Sequence, residues 1–365
     1  MILVDKKAIS LLKELCESFG PTGFEREASR IIKTYVKSFV DDIATDKLGS
    51  VVFKRRGTAD RPRVLLAGHV DEVGFVISGI DKKTGFLNFN PLGGWWDQVL
   101  LTQRVIVRTR NGDIPGVIAA KPPHLIPLEE QKKVVEKTEM YIDVGASSQK
   151  EAEEMGIRIG DPVTPWSPFS LIKDGKVAMG KAFDDRIGAL IAIEAIRRLN
   201  EEKVKHPNTV FGAATVQEEV GARGAMTVAH MVDPDVAITL EVDIAGDVPG
   251  IKAYEAPARM GKGPSILTFD KSMIPNQPLK DFVINTAEEK KIPHQLSQVA
   301  RGGTDAGKIH ISRAGCPSIV ISVPTRHIHS HVGLLSLEDT ENAIRLTVEL
   351  VKRFTKKVVS DFTTI

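Results

Sequence analysis

Five short stretches of the chain place imidazoles or carboxylates directly after apolar runs. RVLLAGHVDEV (63–73) carries His69 and Asp71, and KAFDDRIG (181–188) carries Asp184 and Asp185. TVQEEVG (215–221) carries Glu218 and Glu219, LEVDIAGD (240–247) carries Glu241 and Asp243, and SVPTRHIHSH (322–331) carries His327, His329 and His331. Each has an ordinary explanation when taken alone. One histidine can be a satisfied buried group, and an aspartate before a helix can be an N-cap. Paired glutamates suit the positive end of a helix, and alternating histidines can be an exposed face. RGGTDAG (301–307) reads as a tight glycine turn, because it lacks the spacing and lysine of a phosphate loop.

The conjunction points to chemistry. Open α/β sheets form their sites beyond the carboxyl ends of the strands, and five such ends here carry ligands. Carboxylates crowded into one crevice repel and raise one another's pKa values. Divalent cations relieve that repulsion, and imidazoles with carboxylates suit Zn²⁺, Co²⁺ or Mn²⁺ without any sulfur ligand. Two divalent cations balance three carboxylates and a bridging hydroxide, and paired ions of this kind are common in hydrolytic sites. One carboxylate must then serve both ions, a role that suits Asp184 at the mouth of a helix. Neighbouring side chains point apart, so Glu219 is assigned as a ligand and Glu218 as the general base acting on the attacking water. Asp71, two residues after His69, is expected to orient its imidazole.

These residues need a scaffold. The chain has 365 residues, 42% hydrophobic and 26% charged, enough for a substantial core and one or two domains. The formal net charge of +2 is too small to argue for nucleic acid or an anionic membrane surface. Cys16 and Cys316 are the only cysteines, so no disulfide framework is expected. The start MILVDKKAIS lacks a signal pattern and no apolar run is long enough for a bilayer, which leads to an expected cytoplasmic location. Helical spacing marks KKAISLLKELCESFG, FEREASRIIKTYVKSFV, DDRIGALIAIEAIRRLN, GARGAMTVAHMV, PLKDFVINTAEEKK and SLEDTENAIRLTVELVKRF. Between them SVVFKRR, RVLLAG, KVAMG, TVFGAATV, DVAITLEV and PSIVISVP read as strands. The alternation implies an α/β fold, with a mostly parallel sheet covered by helices on both faces. Residues 74–167 break the pattern with short β-rich pieces and turns, including an NGD hairpin signal. They are expected to form a small inserted domain within a larger one built from 1–73 and 168–365.

The ordered set AGHVDEVGF, KAFDDRIG, TVQEEVGARGA, VDIAGDVPG, RGGTDAG and SVPTRHIHS resembles the TET (tetrahedral) aminopeptidases, in the glutamyl aminopeptidase group of dinuclear-metal exopeptidases. The resemblance runs from GPTGFE (20–25) to the C-terminal helix. It implies an α/β catalytic domain interrupted by a β-rich dimerisation domain, and a homododecamer built from dimers that acts on short peptides. It also implies metal ligands at His69, Asp184, Glu219, Glu241 and His329, with Glu218 as the base. It selects His329 over His327 and His331, and Glu241 over the fallback Asp243. The implied reaction is removal of the N-terminal residue of a peptide by a water activated between two divalent ions, zinc or cobalt. A metal-dependent deacylase or carboxypeptidase, a glycoside hydrolase using Glu218, and a metal-stabilised scaffold are the rival readings.

Overall fold

The computed structural model describes residues 4–364. Four strands lie side by side and parallel at its centre, in the order Thr209–Thr215, Arg63–His69, Val236–Ile244 and Ser318–Arg326. Their residues are buried almost without interruption, as expected where both faces of a sheet are covered. Alternation along one strand shows the two faces. Val64 and Leu66 join a core shared with the helices Lys6–Glu17, Phe183–Glu201 and Leu337–Arg353. Leu65 and Ala67 face the opposite side, against Ala225, Val228 and Ala229 of the helix Arg223–Val232. Antiparallel strands extend the sheet at its edges. Val51–Arg56 and Asp42–Thr45 flank one side, and Gly333–Ser336, Val177–Gly180 and Ser170–Ile172 the other. KVAMG is thus an antiparallel outer strand that delivers the 181–185 turn to the centre of the sheet.

Local chemistry sets the element ends. The helix Leu337–Arg353 starts at Ser336, whose side chain accepts the Asp339 N–H, and it has Glu338 and Asp339 in its first turn and Lys352 and Arg353 in its last. The helix Phe183–Glu201 is pressed onto the sheet by two glycines. A Cβ on Gly68 would lie 2.4 Å from the Ala189 nitrogen, and one on Gly188 would lie 2.1 Å from the Leu240 carbonyl oxygen. This close approach brings the start of the helix, with Asp184 and Asp185, against His69.

Six strands between Gly74 and Pro165 close a separate barrel, in the order Gly74–Ile80, Leu87–Leu92, Tyr141–Asp143, Gly112–Ala119, Arg104–Thr109 and Pro162–Pro165. It has its own core, including Phe75, Leu87, Val105, Val107, Ile118 and Ile142. Arg104–Thr109 and Gly112–Ala119 form the hairpin signalled by NGD. Trp95, on the loop after the second barrel strand, stacks on Phe75 with ring centroids 4.9 Å apart. Five short strands of the large sheet have no clear sequence signal, Asp42–Thr45, Ser170–Ile172, Ser265–Asp270, Gln295–Val299 and Gly333–Ser336, and nor do the short helices Ala306–Ile309 and Lys356–Asp361. Among the described residues no helix is long and apolar enough to cross a membrane.

Candidate active site

The ends of the parallel strands meet the turn before the helix Phe183–Glu201. His69 ends its strand with its side chain 1% exposed. Its Nδ1 faces the Asp71 carbonyl oxygen at 3.1 Å and the Asp71 carboxylate at 3.4 Å. Asp71 therefore supports the ring through its backbone as well as its side chain, where only the side chain was expected. The His69 Nε2 points into the crevice, 3.1 Å from Asp184 Oδ1, 3.6 Å from Glu241 and 3.9 Å from Glu218.

His329 enters from the other side. It follows the strand Ser318–Arg326 in left-handed backbone, with φ +53°. Its Nε2 lies 3.4 Å from Asp184 Oδ2 and 3.6 Å from Glu219. Its Nδ1 lies 2.6 Å from the carbonyl oxygen of Gly94, on the barrel loop. Asp184 thus presents one oxygen to each histidine. Two donor groups result, His69–Asp184–Glu241 and Asp184–Glu219–His329, and within each the ligand atoms lie within 4.8 Å of one another. Glu218 stands beside both, its side chain 14% exposed.

The alternative residues are occupied elsewhere or unpartnered. Asp243 is buried and accepts a 2.6 Å bond from the Ser265 hydroxyl. His327 is exposed, again at positive φ. His331 is buried against Trp95, ring centroids 5.3 Å apart, and neither ring nitrogen has a hydrogen-bond partner among the described residues. Sequence reasoning did not anticipate the role of Asp185. Its carboxylate accepts the backbone N–H groups of His69 at 3.1 Å and Gly188 at 2.9 Å, tying the strand end to the helix start. Asp305, read from RGGTDAG as part of a turn, is buried behind Thr215, whose hydroxyl it accepts.

The electrostatics are those of too many carboxylates in too little water. Burial, then the charges of Asp305, Glu241 and Glu219, push the Glu218 carboxyl well above its ordinary range against the pull of His69. Burial and Asp184 push Glu219 up to about 8. Burial and the neighbouring Asp185 push Glu241 well above its usual value. Asp184 goes the other way, because His329 and His69 outweigh burial and hold it well below the carboxylate range. Burial would depress both imidazoles, yet the surrounding carboxylates raise His69 well above its usual value and His329 to about 10. Such a cluster is what positive charge would neutralise. A cavity of about 690 Å³ opens in front of it, lined by Glu218, Glu241, Ile244, Leu267, Val299 and Ile328 among others.

The sequence profile of the M42 glutamyl aminopeptidases matches residues 49–346. The chain is 35% identical over 346 residues to the lysyl aminopeptidase of Pyrococcus furiosus, covering 94% of this chain and 96% of that one. Its fold superposes with a TM-score of 0.96 on the crystal structure of the TET aminopeptidase of a marine sediment Thaumarchaeota archaeon, at 64% identity over 98% of this chain and 99% of that one. It superposes with a TM-score of 0.83 on the Pyrococcus horikoshii TET1 peptidase, at 33% identity, covering 95% of this chain and all of that one (100%). A profile match spanning most of the chain, joined to these whole-length likenesses, makes this protein a member of the M42 glutamyl aminopeptidase family and a hydrolase of peptide bonds.

Proposed function

We propose that this protein removes the N-terminal residue from short peptides with two divalent cations held by His69, Asp184, Glu219, Glu241 and His329. The observation that carries the reading is Asp184, which offers one carboxylate oxygen to each of two donor groups. The donor set fits such ions. It is all nitrogen and oxygen, and Glu241 Oε2 is buried without a hydrogen-bond partner among the described residues. Its three carboxylates repel unless cations lie between them. Zinc and cobalt are the metals best matched to these donors.

When bound, the cations supply Lewis acidity, polarising the scissile carbonyl and acidifying a water molecule. The chain's own residues do the rest. The Glu218 carboxylate takes the proton of the attacking water and returns it to the departing amine. Asp71 fixes the tautomer and aim of His69, and the Gly94 carbonyl does the same for His329. The cavity before Glu218 and Glu241 receives the N-terminal residue of the peptide.

The domain reading is a catalytic domain of residues 1–73 and 168–365, with a dimerisation domain of residues 74–167 inserted in it. The barrel's separate core supports it. The assembly reading is a homododecamer built from dimers. Its support is the TET1 peptidase of Pyrococcus horikoshii, which can assemble into a tetrahedron or a large octahedral shell. The proposed location is the cytoplasm.

The test uses metal-stripped protein with a panel of aminoacyl chromogenic substrates, with and without added zinc or cobalt. Activity should return with the metal and fall away when the peptide amine is acetylated. Equal turnover of acetylated peptides would support a deacylase instead.

A further inference from the structure

We propose that Glu25, on the N-terminal loop 20–25, is a positioning residue that holds the 217–219 turn in the shape the reaction needs. The proposal rests on the aminopeptidase reading above and adds to it a residue that lies outside the metal ligands and the base.

The demand comes from the turn itself. Glu218 and Glu219 are neighbours, yet one side chain must reach toward His69 and the other toward His329. Side chains of adjacent residues can be aimed so differently only if the backbone between them is held. Gln217, just before them, has φ +57°, which a residue with a Cβ adopts only when its surroundings require it. Hydrogen bonds provide the hold. Three successive backbone N–H groups point inward, and each ends on a carboxylate oxygen. Gln217 donates to Glu25 Oε1 at 3.2 Å, Glu218 to Asp71 Oδ1 at 3.0 Å, and Glu219 to Asp71 Oδ2 at 3.1 Å. Glu25 and Asp71 thus form one cradle beneath the turn.

The loop that carries Glu25 is joined to the His69 strand end at several points. The Thr22 N–H donates to the Glu72 carbonyl at 3.1 Å, and the Glu72 N–H to the Gly20 carbonyl at 3.0 Å. The Thr22 hydroxyl donates to Asp71 Oδ2 at 2.6 Å. Beneath them the buried Arg186 guanidinium reaches Glu72 at 3.1 Å and the Ser18 carbonyl at 2.8 Å. Glu25 itself is 4% exposed, and the same Oε1 also accepts the Gly23 N–H at 2.6 Å. Placing a second acid beside buried Asp71 is unfavourable in itself, and burial followed by the Asp71 charge pushes Glu25 up to about 7. A side chain needed only to fill this space could be apolar. What Glu25 uniquely supplies here is an acceptor at the right height for Gln217.

The role separates from plain stability by experiment. Wild type and Glu218→Gln are assayed first on a free-amine peptide, because a wild type without turnover would refute the aminopeptidase reading rather than this proposal. In Glu25→Ala, kcat should fall about 10–100-fold with KM nearly unchanged, and zinc affinity, measured by chelator competition, should weaken about tenfold. Glu25→Gln keeps an oxygen acceptor and should recover most of both. A second variant, Thr22→Val, removes the donation to Asp71 and should move the same quantities in the same direction, while Thr22→Ser restores them. A folded Glu25→Ala protein with kcat and zinc affinity within twofold of wild type would overturn the proposal. So would Glu25→Gln proving as impaired as Glu25→Ala. If Glu25→Ala does not fold, unchanged kcat and zinc affinity in Thr22→Val would overturn it.

Discussion

The two halves of the site are built in different ways. His69 lies at the end of a central parallel strand, its side chain 1% exposed, and its outer nitrogen faces a carbonyl and a carboxylate of Asp71. Asp185 pins its backbone to the start of the helix Phe183–Glu201. His329 lies on a loop at positive φ, its side chain 38% exposed, and its outer nitrogen meets a single carbonyl delivered by the barrel. One half is fixed by the sheet and supported by charge. The other is assembled across the junction of two cores and supported by a neutral dipole. A charged partner raises the basicity of a ligating imidazole more than a neutral one does. The His69 group should therefore hold its ion more tightly, and the His329 group should be the first to empty.

The widest departure would come from removing the residue that serves neither half as a ligand. Glu218→Gln should lower kcat by about 10²–10⁴-fold while metal content stays at the wild-type value. Activity near wild type would remove Glu218 from its role as base, and lost metal would make it a ligand. The next variants set the halves against each other. Asp71→Asn should weaken the tighter ion and lower activity by about 10–100-fold, since both His69 and the 217–219 turn depend on it. Gly94→Ala should weaken the looser ion by about tenfold or less, because a Cβ there would stand 3.1 Å from His329 Nδ1. Isothermal titration of each metal-stripped variant reads the two affinities. If both substitutions weakened the same ion, the division into two separately supported halves would be wrong.

The smallest effect concerns His331, which is carried on the His329 loop and packs against Trp95 of the barrel loop. Burial lowers it to about 4 from its ordinary 6.5. The unfolded chain therefore binds the extra proton first, and the stability that the neutral ring permits is lost as pH falls from about 6.5 toward 4. His331→Phe keeps a ring against Trp95 and should blunt that acid-side loss, read as Tm against pH. An unchanged profile would mean that other groups set the acid limit.

How much of this was legible beforehand depended on the kind of atom involved. Side-chain donors at strand ends were legible, because an apolar run that stops at a histidine or an acid is visible in one dimension. His69, Asp184, Glu218, Glu219 and Glu241 were all marked that way. The choice of His329 among three alternating histidines was not legible from spacing and required the family resemblance. Support from the backbone left no trace at all. The Gly94 carbonyl carries no residue-type signature, and it meets His329 across 235 positions. Glu25 meets Gln217 across 192, so GPTGFE registered only as a marker of resemblance. Asp185 carried no signal of its own beside Asp184, and only the close approach of Gly68 to the helix shows why it faces His69. The short strands Ser265–Asp270 and Gln295–Val299 were missed because their burial pattern is too brief to show a period.

The proposed centre depends on Asp184 serving two cations at once. Anomalous diffraction from zinc-loaded crystals of wild type and of Asp184→Asn tests it most directly. Wild type should show two peaks per chain on either side of the Asp184 carboxylate, one beside His69 and Glu241 and one beside His329 and Glu219, and the variant should lose at least one. A single peak remote from Asp184, or two peaks untouched by the substitution, would rule out a shared Asp184.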